Sequence, residues 1–565
     1  MNITIQNTEK LRKVAVLGQL ELPSECEQLL TILKPDVSSI APLELDFYDA
    51  DLLPSKIIEA ISELLSTGVG IKVVVYRELL AHALARLGVP FRKVTSQLSL
   101  SPLPECKAVV LAGSANSLDK ILNIIHCLPE ADVSIFVAQH VCEDQTNLLD
   151  NLLKVVTNYQ VVMPQNLMPV ELGTIYVAPP AHHLRVAHGL VYLTRDRKIQ
   201  FARPSIDVLF ESVAGEYGNK AIAVLLCGFG QDGVKGCETL KAAGACVILE
   251  NSAECQEACV LPDNARQAGH FDHSFSCASI ASVIAAAIAG KTATPAGVLQ
   301  QLFLQALKVD YGYDFLGYQT DSLERRFKTM MTSFGVNSFC DFQRLVLSNP
   351  KLFQRLIAEI TVSVSNFFRH PEQFQLLREE IFPYLASFPL IKVWSAGCST
   401  GEEPYSLAIL LNELGLLRNS RIFATDLNPY SLELAKMQFF PIEELEISRA
   451  NYLASGGQAK FDTVIKSYGS FFKIIDTLSE RILFHCHSLT QDGVFNEFEL
   501  IVCRNVLIYL NAQTQQKVLQ CFANSLHPDG FLMLGPQDGL QNAARAAGFV
   551  PYRTGSHIYK LQAEA

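Results

Sequence analysis

Short runs of consecutive apolar residues alternate along most of this chain with longer stretches in which apolar positions recur every three or four residues. The first signature is that of a buried strand, the second of a helix lying on a sheet, and their alternation predicts α/β layers. Near the start, Lys13–Leu17, Leu43–Phe47 and Ile71–Tyr76 read as strands, with helical patterns over Glu25–Leu33, Ser55–Leu65 and Glu78–Leu87. The alternation resumes with Lys107–Leu111 and the helical pattern Leu118–Cys127, followed by strands at Ser134–Gln139 and Ile222–Cys227. From Val298 to Ile357 the pattern is helical throughout. Strands return at Ile391–Trp394, Arg421–Thr425 and Ile501–Leu510. Ser99–Glu105, with Pro102 and Pro104, and Lys291–Gly297, with Pro295, read as linkers. The boundaries expected are therefore 1–103, 104–290, 296–358 and 359–565.

Two places in this pattern carry candidate chemistry. In Lys392-Val-Trp-Ser-Ala-Gly-Cys-Ser-Thr-Gly-Glu-Glu-Pro-Tyr-Ser406 a strand meets a turn of small residues and then a helix. Gly397 and Gly401 suit positive φ or close backbone approach to a ligand. Asp426 ends the following strand, where an acid in a nucleotide-binding βαβ unit accepts hydrogen bonds from ribose hydroxyls. In the middle of the chain, Ser114, His140 and Asp232 each fall at the carboxyl end of an expected strand, where open α/β sheets place their ligand sites. Nucleophile, base and orienting acid is the set that acyl transfer needs.

Ile360-Thr-Val-Ser-Val-Ser-Asn-Phe-Phe-Arg-His-Pro371, Ala396-Gly-Cys-Ser-Thr-Gly-Glu-Glu-Pro-Tyr405, Ala424-Thr-Asp-Leu-Asn428 and Cys503-Arg-Asn-Val-Leu-Ile-Tyr-Leu510 together resemble the CheR family of chemotaxis protein-glutamate methyltransferases. The resemblance implies a Rossmann-like domain binding S-adenosylmethionine, preceded by a small all-helical domain in which Tyr311–Arg326 matches. It places Ser363, Ser365 and Arg369 near the cofactor and the substrate carboxylate, with serine in two places where the family has Asn and Thr. Gly397, Glu403 and Asp426 fall on the cofactor, as do Ser488 and Leu489, where Ser488 replaces an asparagine. Arg504 and Asn505 match unchanged, and Tyr509 is implied to face the transferring methyl group. Gln438–Ile482 stands where the family carries a small receptor-docking subdomain.

The stretch from Lys107 to Ala289, with Ile175–Leu184 and Ala202–Phe210, resembles the CheB family of receptor methylesterases and glutaminyl deamidases, whose catalytic residues fall on Ser114, His140 and Asp232. The family follows its serine with threonine and two glycines, where this chain has Ala115, Asn116 and Ser117, and its Met-Pro pair is replaced by Val141 and Cys142. The altered turn keeps open a domain retained only for docking, and the serine replacements at Ser363, Ser365 and Ser488 a non-catalytic hub. Leu43 to Val94 resembles the STAS family of regulatory domains, in which a strand leads through an acidic loop and a phosphorylatable serine to a helix. Here Ser55 takes that place, and the residue itself reads as a helix N-cap.

Composition narrows the rest. Apolar residues at 49% and charged residues at 18% describe foldable material, and 565 residues call for several cores. A net charge of −11 speaks against nucleic acid as a partner. The longest apolar stretch, Ile280–Ala289, is too short to cross a membrane, and the start of the chain carries no signal-like segment. The 15 cysteines are scattered without a CxxC pair, which fits a reducing cytoplasm and no metal site. The expected partners are the cytoplasmic domains of methyl-accepting chemoreceptors, with a signalling partner for the STAS-like module.

Overall fold

The computed structural model describes residues 2–8, 11–20, 23–33, 43–66, 71–94, 105–114, 116–141, 148–254, 259–289, 296–361 and 365–562. The chain forms two compact units. One joins Met1–Leu98, Gly317–Leu323 and Gln354–Ala565; the other joins Ser99–Leu316 and Glu324–Phe353.

The first unit opens with a five-stranded sheet in the order Asn2–Thr8, Leu11–Leu17, Leu43–Phe47, Ile71–Val75, Phe91–Lys93. Its first pair is antiparallel and the others are parallel. Leu45 and Phe47 point to the same side and pack with Val14, Val16, Ile57, Ile58, Ile61 and Leu84 in one buried cluster. Ser55 is the first residue of the helix Ser55–Ser66, one place past the cap position, and the carbonyl of Pro54 accepts from Ile57 and Ile58 N–H.

The same unit holds a seven-stranded sheet in the order Ile482–Cys486, Ser420–Asp426, Ile391–Ala396, Phe498–Cys503, Leu526–Leu534, Ile558–Leu561, Phe549–Pro551. Pairing is parallel up to Leu526–Leu534 and antiparallel beyond it. Between Gln438 and Ile482 the chain forms the helix Leu445–Ala454 and an antiparallel sheet in the order Phe439–Pro441, Phe471–Ile474, Ile465–Tyr468. One face of this small sheet belongs to the large domain, through Phe440 and Phe472. The other presents Phe439, Tyr468 and Phe471 to the core of the amino-terminal module. Burial at roughly 1.5–3 kcal/mol per large apolar side chain makes this contact a substantial part of the unit's stability. Polar contacts pin the module here: Ser62 Oγ donates to Tyr468 O (3.2 Å), Tyr468 OH to Glu59 Oε2 (3.2 Å), Lys473 Nζ pairs with Glu59 Oε1 (3.0 Å), and nearby Tyr430 OH donates to Leu79 O (2.5 Å).

The second unit is built on a parallel sheet in the order His273–Phe275, Cys246–Glu250, Ala221–Leu225, Ala108–Gly113, Ser134–Gln139, Thr174–Val177, Gln160–Val162. Central strands read as unbroken apolar runs because helices cover both faces. The apolar stretch Ile280–Ala289 is most of the helix Cys277–Ala289, buried on nearly every side. Helices Ala296–Tyr311 and Phe339–Ser348 lie against it, with Ser279 Oγ donating to Asp310 Oδ2 (2.5 Å) and Cys340 Sγ to Val283 O (3.8 Å). Among the described residues no helix is long and apolar enough to cross a membrane.

His273 is buried in this unit, stacked on Phe275 at 5.0 Å. Burial, with Arg344 adding to it, pushes its pKa down to about 4. Because the unfolded chain binds the proton more readily, stability rises with pH between about 4 and 6.5 and is lost as pH falls through that window. Denaturant titrations should show wild type losing on the order of 2 kcal/mol more than His273→Gln between pH 6.5 and 4.5.

Candidate functional site

The carboxyl ends of three adjacent strands bring Ser114, His140 and Asp232 together. Ser114 follows Ala108–Gly113, and its N–H donates to Cys227 O (2.9 Å). His140 follows the neighbouring strand Ser134–Gln139, and its N–H donates to Gly113 O (3.1 Å). Asp232 lies in the loop after Ala221–Leu225 on the other side. That loop approaches Ser114 so closely that a Cβ on Gly228 would sit 2.3 Å from Ser114 Cβ.

His140 Nε2 donates to Asp232 Oδ2 at 2.8 Å. A carboxylate only accepts, so Nε2 carries the proton of that bond, and it is Nδ1 that bears the lone pair of the neutral imidazole. Asp232 is buried and its oxygens are saturated: Oδ2 also accepts from Ile206 N–H (2.7 Å), while Oδ1 accepts from Ser205 Oγ (2.7 Å) and Asp207 N–H (3.0 Å). These donors sit at the amino end of helix Ile206–Tyr217, whose dipole favours negative charge there. Asp207 holds the next turn by accepting from Gly233 and Gly236 N–H, and burial pushes its carboxyl up to about 6. Ser205 N–H in turn donates to His183 Nδ1, a histidine that burial keeps neutral. Ser205 lies in the Ala202–Phe210 stretch, and no local pattern there marks it as a partner of Asp232.

The altered turn after Ser114 is accommodated. Asn116 is exposed with φ +66°, a left-handed conformation that asparagine tolerates where a glycine would otherwise be required. Ser117 is buried, and its Oγ donates to Ser114 O (2.7 Å). Among the described residues no hydrogen bond joins Ser114 to His140, a distance that unliganded hydrolases often close only around substrate. Ala115 and Cys142 lie outside the described residues. The cleft beside His140 and Asp232 is lined by Lys198, Arg203, Phe201 and Phe229, the two phenylalanines largely exposed.

The other site occupies the carboxyl edge of the large domain's sheet. One pocket collects Ser365, Arg369, Gly397, Glu403, Asp426, Ser488, Leu489, Arg504, Asn505 and Tyr509. Ser363 lies outside the described residues. The loop Gly397–Gly401 turns through three left-handed residues, Gly397 (+82°), Ser399 (+51°) and Gly401 (+103°). Thr425 O accepts from both Gly397 and Cys398 N–H, and Ser399 N–H donates to Asp426 Oδ2 (2.8 Å). Asn428 N–H fills Asp426 Oδ1 (2.9 Å). Burial raises the pKa of Asp426, and these amides oppose the shift. Glu403 is raised by burial too, against the pull of Arg504, whose Nη1 lies 3.3 Å from Glu403 Oε2; Ser395 Oγ donates to the other oxygen (2.8 Å).

Several buried polar atoms of the lining, Ser399 Oγ and Asn505 Oδ1 among them, have no hydrogen-bond partner among the described residues. Buried polar atoms are rarely left so, and here they supply the donor and acceptor that a polar, nucleoside-like ligand would meet. Tyr318 also lines the pocket. Its segment pairs with residues 509–511, through Gln319 N–H to Tyr509 O (2.9 Å) and Asn511 N–H to Gly317 O (2.8 Å).

Comparisons with known proteins identify the domains that carry these sites. Residues 363–555 match the model of the CheR methyltransferase SAM binding domain, 301–361 that of the CheR all-alpha domain, and 109–284 that of CheB methylesterase. A protein named as putative methyltransferase Cher3 from Pseudomonas putida is 39% identical over 262 residues, covering 46% of this chain and 95% of the relative. A chemotaxis protein methyltransferase from Listeria innocua is 33% identical over 244 residues, covering 43% and 90%. The crystal structure of the CheB methylesterase catalytic domain of Thermotoga maritima is similar at 27% identity over 35% of this chain and all of that one, with a TM-score of 0.30. The chain belongs to the CheR methyltransferase family, and it carries a CheB-type methylesterase domain ahead of its CheR-type domains. Its cofactor is S-adenosylmethionine.

A Cβ at position 397 would lie 2.4 Å from Val506 Cγ2 at a φ of +82°. Gly397→Ala should therefore weaken S-adenosylmethionine binding by about tenfold or more, read by calorimetry, while the overall fold is kept.

Proposed function

We propose that this chain both methylates and demethylates glutamate side chains on the cytoplasmic domains of methyl-accepting chemoreceptors. The observation that carries the reading is that two groups of polar residues, Ser114–His140–Asp232 and the lining around Glu403 and Asp426, sit at strand ends of separate sheets. In the first, Asp426, Glu403, Ser399 and Asn505 hold the cofactor, with Ser365, Ser488, Leu489 and Arg504 completing the cradle. S-adenosylmethionine supplies an electrophilic methyl group there. A receptor glutamate is ionised at neutral pH and needs no strong base. Arg369 orients that carboxylate, as a planar guanidinium does well, and Tyr509 closes the side on which it lies. Catalysis is then mainly alignment.

In the second site Ser114 attacks the γ-ester carbonyl while His140 Nδ1 takes its proton, and Asp232 steadies the imidazolium through Nε2. Collapse of the tetrahedral intermediate expels methanol, which leaves with the proton from His140. Water, activated by the same histidine, releases the glutamate and frees Ser114. The four donors on Asp232 keep it an oriented carboxylate throughout. Glutamine at the same receptor position would release ammonia by the same route.

The amino-terminal residues 1–103 are read as a STAS-like binding or regulatory module, 104–290 as the esterase, 296–358 as the helical domain and 359–565 as the transferase, all in the cytoplasm. A second reading, an esterase domain kept as a scaffold, is favoured by the Ala115–Asn116–Ser117 turn. Receptor signalling domain incubated with methyl-labelled S-adenosylmethionine separates the two. Wild type should give base-labile label, and Asp426→Ala none. Ser114→Ala should raise net incorporation several-fold; unchanged incorporation in that variant would leave the scaffold reading standing and remove the esterase.

A further inference from the structure

We infer that the amino-terminal module completes the cofactor site of the transferase, with Arg86 as a positioning residue that holds the Gly397–Gly401 loop through Glu402. The inference rests on that loop binding S-adenosylmethionine and goes beyond it, because Arg86 belongs to a module outside the segments matched to the transferase.

Glu402 is the first residue of the helix Glu402–Glu413 and is 1% exposed. Both of its oxygens accept from Thr400 Oγ1 (2.8 and 2.9 Å), which ties the carboxylate to the loop itself. Oε1 also accepts from Arg86 Nη2 at 2.6 Å, and Arg86 is the last residue of the helix Glu78–Arg86. Among the described residues Arg86 is the only cation paired with Glu402. The next residue, Glu403, lines the pocket. A second carboxylate, Glu444, stands close by. Its Oε2 is buried with no hydrogen-bond partner among the described residues, and burial together with the charge of Glu402 pushes its pKa up to about 7 against the pull of Arg86. One guanidinium therefore stands beside two acids, the buried Glu402 and the half-buried Glu444.

The loop needs such help. Ser399 holds a left-handed backbone that only glycine adopts freely. It is braced from one side by Asp426 and from the other by the Thr400–Glu402–Arg86 chain. Without Arg86, Glu402 is a buried carboxyl relieved, among the described residues, only by Thr400 and the helix N-terminus. The cheapest escape is rotation of the carboxylate toward water, which releases Thr400 and lets the loop relax out of its binding form.

The test uses the full chain and reads affinity for S-adenosylhomocysteine by calorimetry, with methyl-transfer kinetics alongside. Arg86→Met should raise the dissociation constant about tenfold, equal to about 1.4 kcal/mol, and raise KM for S-adenosylmethionine with kcat nearly unchanged. Arg86→Lys should recover most of the loss. Arg86→Met combined with Glu402→Gln should bind within about threefold of wild type, because the stranded charge is gone. Lys473→Met cuts a module contact remote from the loop and should leave affinity unchanged. Unaltered affinity in Arg86→Met overturns the inference, and so does an equal loss in Lys473→Met, which would make the effect one of general packing. Should Arg86→Met fail to fold, the double variant decides: wild-type-like binding supports the role and tenfold weaker binding overturns it. A wild-type chain that binds no cofactor at all would instead remove the reading beneath.

Discussion

Asp232 has no oxygen left over for water. Its four hydrogen bonds come from a histidine, a serine and two backbone amides, and three of those donors belong to the start of one helix. A buried carboxylate is tolerable only when its lone pairs are filled, so the placement of that helix, the loop after Ala221–Leu225 and the imidazole of His140 are parts of one requirement. The transferase obeys the same rule with different parts. Asp426 is filled by the Ser399 amide of the loop it braces and by the amide of Asn428, and Glu403 by Ser395 and Arg504. In both halves the charge that organises the site also fixes the backbone around it.

The two halves, on the proposed reading, run opposite chemistry on one substrate. Methyl transfer consumes S-adenosylmethionine and ester hydrolysis consumes water, so acting together they turn over cofactor with no net change in the receptor. Such a pair sets a steady level of modification by the ratio of its rates. Anything that biases one half moves that level without destroying either activity.

Much of this was legible in the sequence, and the exceptions share a cause. Helix Leu118–Cys127 was readable to its ends because Ile121, Ile124 and Ile125 mark one face. The transferase pocket was readable because most of its residues cluster in four short motifs, three of them at strand ends. The strand Asn2–Thr8 was not, since only Ile3 and Ile5 interrupt a polar run and the strand lies at the sheet's edge. The three short strands between Gln438 and Ile482 depend on pairing across a helix, which no local pattern announces. Tyr318 reaches the pocket by backbone pairing with a segment remote in sequence, and Ser205 acts through a carboxylate, not on a ligand. Local periodicity records neither kind of relation.

The small antiparallel sheet of the transferase is already occupied. Phe439, Tyr468 and Phe471 are sealed by the amino-terminal module of the same chain. A tethered domain presents itself at an effective concentration of roughly millimolar, so a free ligand for that face competes against a resident that never diffuses away. Only a ligand of high affinity, or one abundant enough to match that local concentration, can claim the surface. Access to this face is thus a question of competition within one molecule.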